Sequence, residues 1–194
     1  LAGFGRMYPD VYFHPWQTDS SGAINRVLDG TVDLALTGQN TGDDSCVFIP
    51  FCQDNMVIAT PVNDHYLNLK QKEQPVVFQD FIKDPVIIRE KGSGTKKEMD
   101  IFLENAGIEP SSLNVVARMN DLESIKKSIV NGLGFSILSA RSAIDLQKTK
   151  QILLFPLEES AHKRSFYIVY SKNRILKSHV RQFIHYVKEY YQTV

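Results

Sequence analysis

Gly92-Ser93-Gly94-Thr95 has the composition of a place where an oxyanion can be held. It lies between an apolar run, Pro85-Val86-Ile87-Ile88-Arg89, and a stretch with Met99, Phe102, Leu103 and Ala106 at i, i+3, i+4 and i+7. That pattern predicts a strand, a tight turn and the start of an amphipathic helix. Free backbone N–H groups and the positive end of the helix dipole gather at such a start, and glycines let an anion approach the main chain. The hydroxyls of Ser93 and Thr95 add donors that require no buried charge. The dipole contributes about 0.3–1 kcal/mol to an exposed anion and about 2 kcal/mol to a partly buried one. The same residues serve equally as a plain N-cap, with Ser93 satisfying the helix end and binding nothing. On chemistry alone the two readings stand level.

Two further loops occupy comparable positions. Thr37-Gly38-Gln39 follows the apolar run Val32 to Leu36, at the carboxyl end where open α/β sheets bind ligands; it also reads as an ordinary polar loop. Asn120, after Met119, lies at another strand-to-helix junction, where its simpler role is to cap the helix Asp121 to Asn131. No catalytic constellation accompanies them. His14, His65, His162, His179 and His185 are scattered without HExxH spacing, and neither a GxSxG elbow nor a P-loop is present. Cys46 and Cys52 form neither a disulfide framework nor a CxxC pair, and read as reduced, structural residues suited to a cytoplasmic protein. Trp16 reads equally as packing or recognition. No catalytic residue, metal or cofactor is expected.

The elements that must position these loops alternate. Leu1 to Met7 reads as the tail of a helix stopped by Tyr8-Pro9-Asp10, so the chain is expected to be a fragment that starts inside an element. Val11 to His14 is an expected strand. Ser20 or Ser21 is expected to cap a helix carrying Ile24, Val27 and Leu28, with Gly30 as its stop. Val32 to Thr37 follows as a strand, then Phe48 to Phe51 and Met56 to Thr60, interrupted by Cys52-Gln53-Asp54-Asn55. After Pro61 come a short helix or turn at Phe78 to Ile82 and the strand, turn and helix described above. Next are a strand at Leu113 to Ala117, a helix capped by Asn120 or Asp121 with Leu122, Ile125 and Ile129 inward, and a strand at Phe135 to Leu138. A short helix at Ser142 to Gln147 and strands at Ile152 to Phe155 and Ser165 to Tyr170 precede a terminal helix. That helix carries Leu176, Val180, Phe183, Ile184, Val187 and Tyr191 as an apolar stripe.

Strands alternating with helices imply an α/β fold with mainly parallel central sheets flanked by helices. The pattern restarts near Pro61 and returns to its first style near Pro156. Residues 61–156 are therefore expected to form a second lobe inserted into a first lobe of residues 1–60 and 157–194. Thr60-Pro61 and Phe155-Pro156 would be the two-strand hinge, because proline restricts the backbone there; each proline serves as readily to end a strand.

The 194 residues carry 22 Lys and Arg against 22 Asp and Glu, a formal net charge of zero. That balance weighs against nucleic-acid binding by this chain, since duplex affinity comes largely from clustered cations. No apolar run approaches the roughly 18 residues of a membrane span, so no membrane partner is expected.

Two stretches resemble a known family. Tyr8-Pro9-Asp10-Val11 followed by Leu28-Asp29-Gly30-Thr31-Val32-Asp33-Leu34-Ala35-Leu36 resembles the "YPDV … LLDGELDLAI" run of LysR-type effector domains. Arg89-Glu90-Lys91-Gly92-Ser93-Gly94-Thr95, Asn120 to Lys126 and Val130-Asn131-Gly132-Leu133-Gly134-Phe135-Ser136-Ile137-Leu138 are similar to its "RExGSGTR … EAIKxxVxAGLGIxxLP" segment. The resemblance covers most of the chain in the right order. It implies a fold like that of type 2 periplasmic binding proteins and a small anionic or carboxylate effector between the lobes. Ser93, Gly94, Thr95, Thr37, Gly38, Gln39 and Asn120 would be its contacts. It also implies a homodimer or tetramer, and DNA binding only through a winged helix-turn-helix domain that these residues do not include. The rival readings are a transporter's solute-binding protein of the same fold and an enzyme on that fold such as a prephenate dehydratase, whose Thr-Arg-Phe motif is not found.

Overall fold

A computed structural model describes residues 1–157 and 163–192, without the side chain of Lys163; His162 lies outside the described residues. In chain order the elements are α1 (Ala2–Met7), α2 (Ser20–Asp29), β1 (Ala35–Thr37), β2 (Cys46–Thr60), α3 (Asp64–Lys70), β3 (Pro85–Arg89) and α4 (Gly94–Asn105). They continue with β4 (Asn114–Met119), α5 (Leu122–Val130), β5 (Ser136–Ser139), α6 (Ala140–Lys148), β6 (Leu153–Pro156), β7 (Lys163–Ser171) and α7 (Ser178–Gln192). Short 3₁₀ turns stand at Phe78–Phe81 and Pro110–Ser112. None of the described helices is long and apolar enough to cross a membrane.

The chain divides into two compact units, Leu1–Gln53 with Ser165–Val194, and Asp54–Arg164. The first unit is built around Phe4, Ile168, Val180, Phe183, Ile184 and Val187, so the apolar stripe of α7 is buried as its spacing predicts. Phe4 meets Phe183 edge-on at 5.2 Å and Phe13 at 5.9 Å. A smaller cluster of Ile24, Val27, Ala35, Cys46 and Val169 lies under α2. Asp19, rather than Ser20 or Ser21, caps α2 by accepting from the Gly22 N–H at 2.7 Å, and Gly30 ends it in the left-handed region at φ 79°. Val11 to His14 is not a strand: Val11 and Phe13 pack on the first cluster, but no ladder pairs them among the described residues. The expected strand Val32 to Thr37 shortens to Ala35–Thr37, antiparallel to β7.

The second unit carries the larger core, with Phe78, Phe81, Phe102, Leu103 and Phe135 in one cluster and Ile87, Ile125, Ile129 and Leu138 in another. Parallel pairing occurs where the chain crosses over through a helix. β3 and β4, joined by α4, run parallel, and Val86 bridges Phe135 in parallel. β2 is antiparallel to both β5 and β6, with Ile58 opposite Ile137 and opposite Phe155. Thr60, Pro61, Phe155 and Pro156 all fall within this unit, and three of the four belong to the β2–β6 ladder. The helix α3, capped by Asn63 and burying Tyr66 and Leu69, had no counterpart in the sequence reading.

The expected interruption at Cys52-Gln53-Asp54-Asn55 is absent. β2 runs unbroken for 15 residues, with Cys52, Asp54, Met56 and Ile58 all buried. The two-residue period of a strand therefore continues through the polar cluster. Asp54 can occupy an inward position because its charge has a buried partner, described below.

Gly134 is required by a close approach. A Cβ there would collide with the Pro85 carbonyl oxygen, which also accepts from the Phe135 N–H at 2.8 Å. Gly134→Ala is expected to cost about 1–3 kcal/mol, the usual penalty of overpacking, measured as a lower urea midpoint with an unchanged denaturant slope.

Candidate functional site

At the end of β3 the chain turns through Gly92, at φ 100°, and enters α4 with Ser93 as N-cap residue. Ser93 is only 3% exposed, yet its side chain makes no capping hydrogen bond, and its hydroxyl has no hydrogen-bond partner among the described residues. The plain capping role considered for Ser93 is therefore not the one its hydroxyl takes. Gly94 is buried and Thr95 half-buried. The first intrahelical bond runs from the Lys97 N–H to the Ser93 carbonyl at 3.1 Å, which leaves the N–H groups before it without helical partners.

The Asn120 loop lies beside this one, because β3 and β4 are parallel neighbours that end together at Arg89 and Met119. The Glu90 N–H donates to the Met119 carbonyl at 3.3 Å, and the Arg89 guanidinium donates to the Asn120 carbonyl at 3.2 Å. Arg89 also grips the Glu90 carboxylate with two bonds of 2.9 Å, which neutralises both charges. Asp121, not Asn120, caps α5, accepting from the Ser124 N–H at 2.6 Å. Hydrogen bonds from the Ser124 side chain and backbone hold the Asp121 carboxyl below the usual aspartate value. Asn120 is thereby released from capping and lines a shallow pocket with Glu90, Arg118 and Ser124.

Thr37, Gly38 and Gln39 belong to the first unit. Thr37 is 3% exposed and donates its hydroxyl to the Gln39 carbonyl at 2.9 Å, an internal bond that shapes the turn after β1. The first unit also holds a cavity of about 560 Å³ lined by Phe4, Phe13, Trp16, Arg26 and His179, with the Arg26 guanidinium 4.5 Å from the Trp16 ring centre. Its wall is largely apolar, its arginine already faces an indole, and the polar side chains that line it include His14, Gln17, Thr18 and Thr31.

Asp54, Ser139 and Arg164 were not singled out from the sequence. The Arg164 Nε donates to Asp54 Oδ2 at 2.9 Å, Ser139 Oγ donates to Asp54 Oδ1 at 2.8 Å, and Arg164 Nη1 donates to Thr95 Oγ1 at 3.2 Å. The two charged side chains are 0% and 6% exposed. One signal was present: Asp54 sits on the inward phase of the β2 alternation. Nothing in the sequence pairs it with Arg164, 110 residues later.

Among the described residues no group of three His, Cys, Asp or Glu is placed to hold a metal ion. His65 faces Asp84 at 3.0 Å and His185 faces Glu189 at 3.1 Å. Cys46 and Cys52 are buried and not joined in a disulfide, and burial raises the Cys46 thiol above its ordinary value.

The LysR substrate binding domain family matches residues 1–192. The HTH-type transcriptional regulator CysL of Bacillus subtilis (strain 168) is 28% identical over 139 residues, 72% of this chain and 44% of CysL. The chain spans about half the length or less of the first curated relatives it matches. The regulatory domain of Synechocystis PCC6803 CcmR in complex with 2-PG superposes with a TM-score of 0.85 at 20% identity, covering 100% of this chain and 89% of that one. The effector binding domain of QuiR in complex with shikimate gives 0.83 at 16% identity, covering 99% and 88%. At these identities the structural likeness is one of fold, of the type 2 periplasmic binding protein kind. With the family match running from residue 1 to 192, the chain belongs to the LysR substrate binding domain family.

Proposed function

We propose that this chain is the sensing domain of a LysR-type transcriptional regulator, binding a small anion at the start of α4 and doing no catalysis of its own. The observation that carries the proposal is Ser93: an N-cap residue only 3% exposed whose hydroxyl does not cap its helix, flanked by a buried glycine and a second hydroxyl. A free anion oxygen is the acceptor such a cluster of donors lacks. Thr37, Gly38 and Gln39 of the first unit and Asn120 of the second complete the proposed contacts. Thr60-Pro61 and Phe155-Pro156 remain the proposed hinge. The shikimate and 2-PG complexes of the related domains favour a carboxylate or phosphate ligand.

The signal would pass to a DNA-binding domain of the whole protein, acting in the cytoplasm as a homodimer or tetramer. Its energetic requirement is modest. A tenfold change in population needs about 1.4 kcal/mol of differential affinity for two states, which a few hydrogen bonds to an anion supply.

The test is thermal denaturation of this chain with shikimate, 2-phosphoglycolate and inorganic sulfate. A binder at a hundred times its Kd stabilises by about 2.7 kcal/mol. We expect at least one of the three to raise the midpoint, and Ser93→Ala and Thr95→Ala each to shrink that rise. An unchanged rise in both variants would show that the anion binds elsewhere.

A further inference from the structure

The cavity of the first unit, about 560 Å³, has the size of a ligand pocket but not the lining of one. Two consecutive runs border it, Val11 to Thr18 and Thr31 to Leu36. A run whose every residue borders a space presents its backbone to that space as well as its side chains. The second run ends in β1, which pairs with β7 along one edge and stands at the end of its sheet. In an antiparallel ladder successive residues aim their N–H and C=O groups to opposite sides, so part of β1 aims them away from β7. Across the cavity, Tyr12, Phe13, His14 and Trp16 make no backbone hydrogen bond among the described residues. Tyr12 is 89% exposed, and Trp16 and Leu36 are about half exposed. Two strand-like edges facing one another across an apolar slot are a template for one more strand.

We propose that this cavity is the place of a β-strand supplied by residues that precede Leu1 in the whole polypeptide, and not a pocket for a small molecule. Leu1 lines the slot and heads α1, so a segment leading into that helix is delivered to it. α1 then forms the helical crossover to the Val11 run, as α2 does from that run to β1, and such crossovers join parallel strands. Both faces of the slot are closed. Leu34 and Ile168 go to the cluster of α1 and α7, whereas their chain neighbours Ala35 and Val169 go to the cluster under α2. A strand lying between buries side chains on both faces, and such a strand reads as a continuous apolar run rather than an alternation. The curated relatives are long enough to supply it, since this chain spans 44% of CysL. The same strand is the ladder partner that Val11 to His14 lacks. This holds whether or not α4 binds an anion.

The first test is the upstream coding sequence. Within about a dozen residues before Leu1, the length of a strand and a short connection, it should encode about five consecutive apolar residues. A polar stretch there overturns the inference. The second test compares the 194-residue chain with the polypeptide lengthened by that segment, using amide hydrogen exchange and the fluorescence of anilinonaphthalene sulfonate, a dye of exposed apolar surface. In the longer polypeptide the amides of Ala35 to Thr37 and of Tyr12 to His14 should exchange about tenfold more slowly or better. Dye bound by the shorter chain should be released. The amides of β3 and α5, in the second unit, should exchange alike in both, which separates a filled slot from a general gain in stability. An aspartate placed at the centre of the apolar run should bring back the dye and the fast exchange; protection that survives it means the run lies elsewhere. If the longer polypeptide keeps the dye and its exchange is unchanged, the cavity is a small-molecule pocket and the inference falls. It falls equally if the shorter chain gains the same protection only as its concentration rises, because a second copy then fills the slot.

Discussion

Asp54→Ala is expected to lower the unfolding free energy by about 3–5 kcal/mol, read in urea as a large drop in midpoint at constant slope. The cost does not come from the attraction lost. Two charges taken from water into a site 0% and 6% exposed gain little over their hydration, so the intact pair is close to neutral in stability. Removing the carboxylate alone takes from the buried Arg164 guanidinium the oxygen its Nε donates to, and strands the Ser139 hydroxyl that donated to the other oxygen. The control is the double variant Asp54→Leu with Arg164→Met, which fills the space with apolar groups and should recover most of the loss. An Asp54→Ala loss below about 1 kcal/mol, the value of an exposed pair, would mean that solvent reaches it.

That pair also marks where sequence reading stopped. Periodicity was enough for α4, α5 and α7, because Met99, Phe102 and Leu103, then Ile125 and Ile129, then Val180, Phe183, Ile184 and Val187 repeat on one face and are buried. It was enough for the Gly92–Thr95 turn as well, since glycines and hydroxyls between a strand and a helix are a local signal. It misled at Cys52-Gln53-Asp54-Asn55, where four residues that look like a break lie inside a continuous strand. The reason is non-local: an inward aspartate is unreadable until its arginine, 110 residues away, is known. Val11 to His14 failed in the opposite way. Its residues have strand composition, but a strand is defined by a partner, and composition carries no information about that partner. The loops of the site were legible as loops. Which hydroxyl donates and which accepts was not, because hydrogen-bond direction depends on what lies beneath.

The second large effect is expected at Phe135. Phe135→Ala should cost about 3–5 kcal/mol, as large-to-small changes in a closed aromatic core do. The ring is 0% exposed and lies 5.6 Å from Phe81 and 6.2 Å from Phe78, and Phe81 in turn packs on Phe155 at 5.2 Å. With neighbours from several elements, the void cannot collapse by moving one of them. Phe135→Leu keeps much of the volume and should lose clearly less. The consequence for binding is separable from the consequence for folding. Phe135 holds β3 through its backbone, accepting from the Ile87 N–H and donating to the Pro85 carbonyl, each at 2.8 Å. Those bonds do not involve the ring. A ligand that binds only the folded state adds the same stabilisation at the same multiple of its Kd, whatever the stability of the protein it binds. Sulfate or 2-phosphoglycolate should therefore add an equal increment to the wild-type chain and to Phe135→Ala, even as both curves shift. A smaller increment in the variant would show that the ring, packed under β3, and not the backbone bridge, holds the Gly92–Thr95 turn in position.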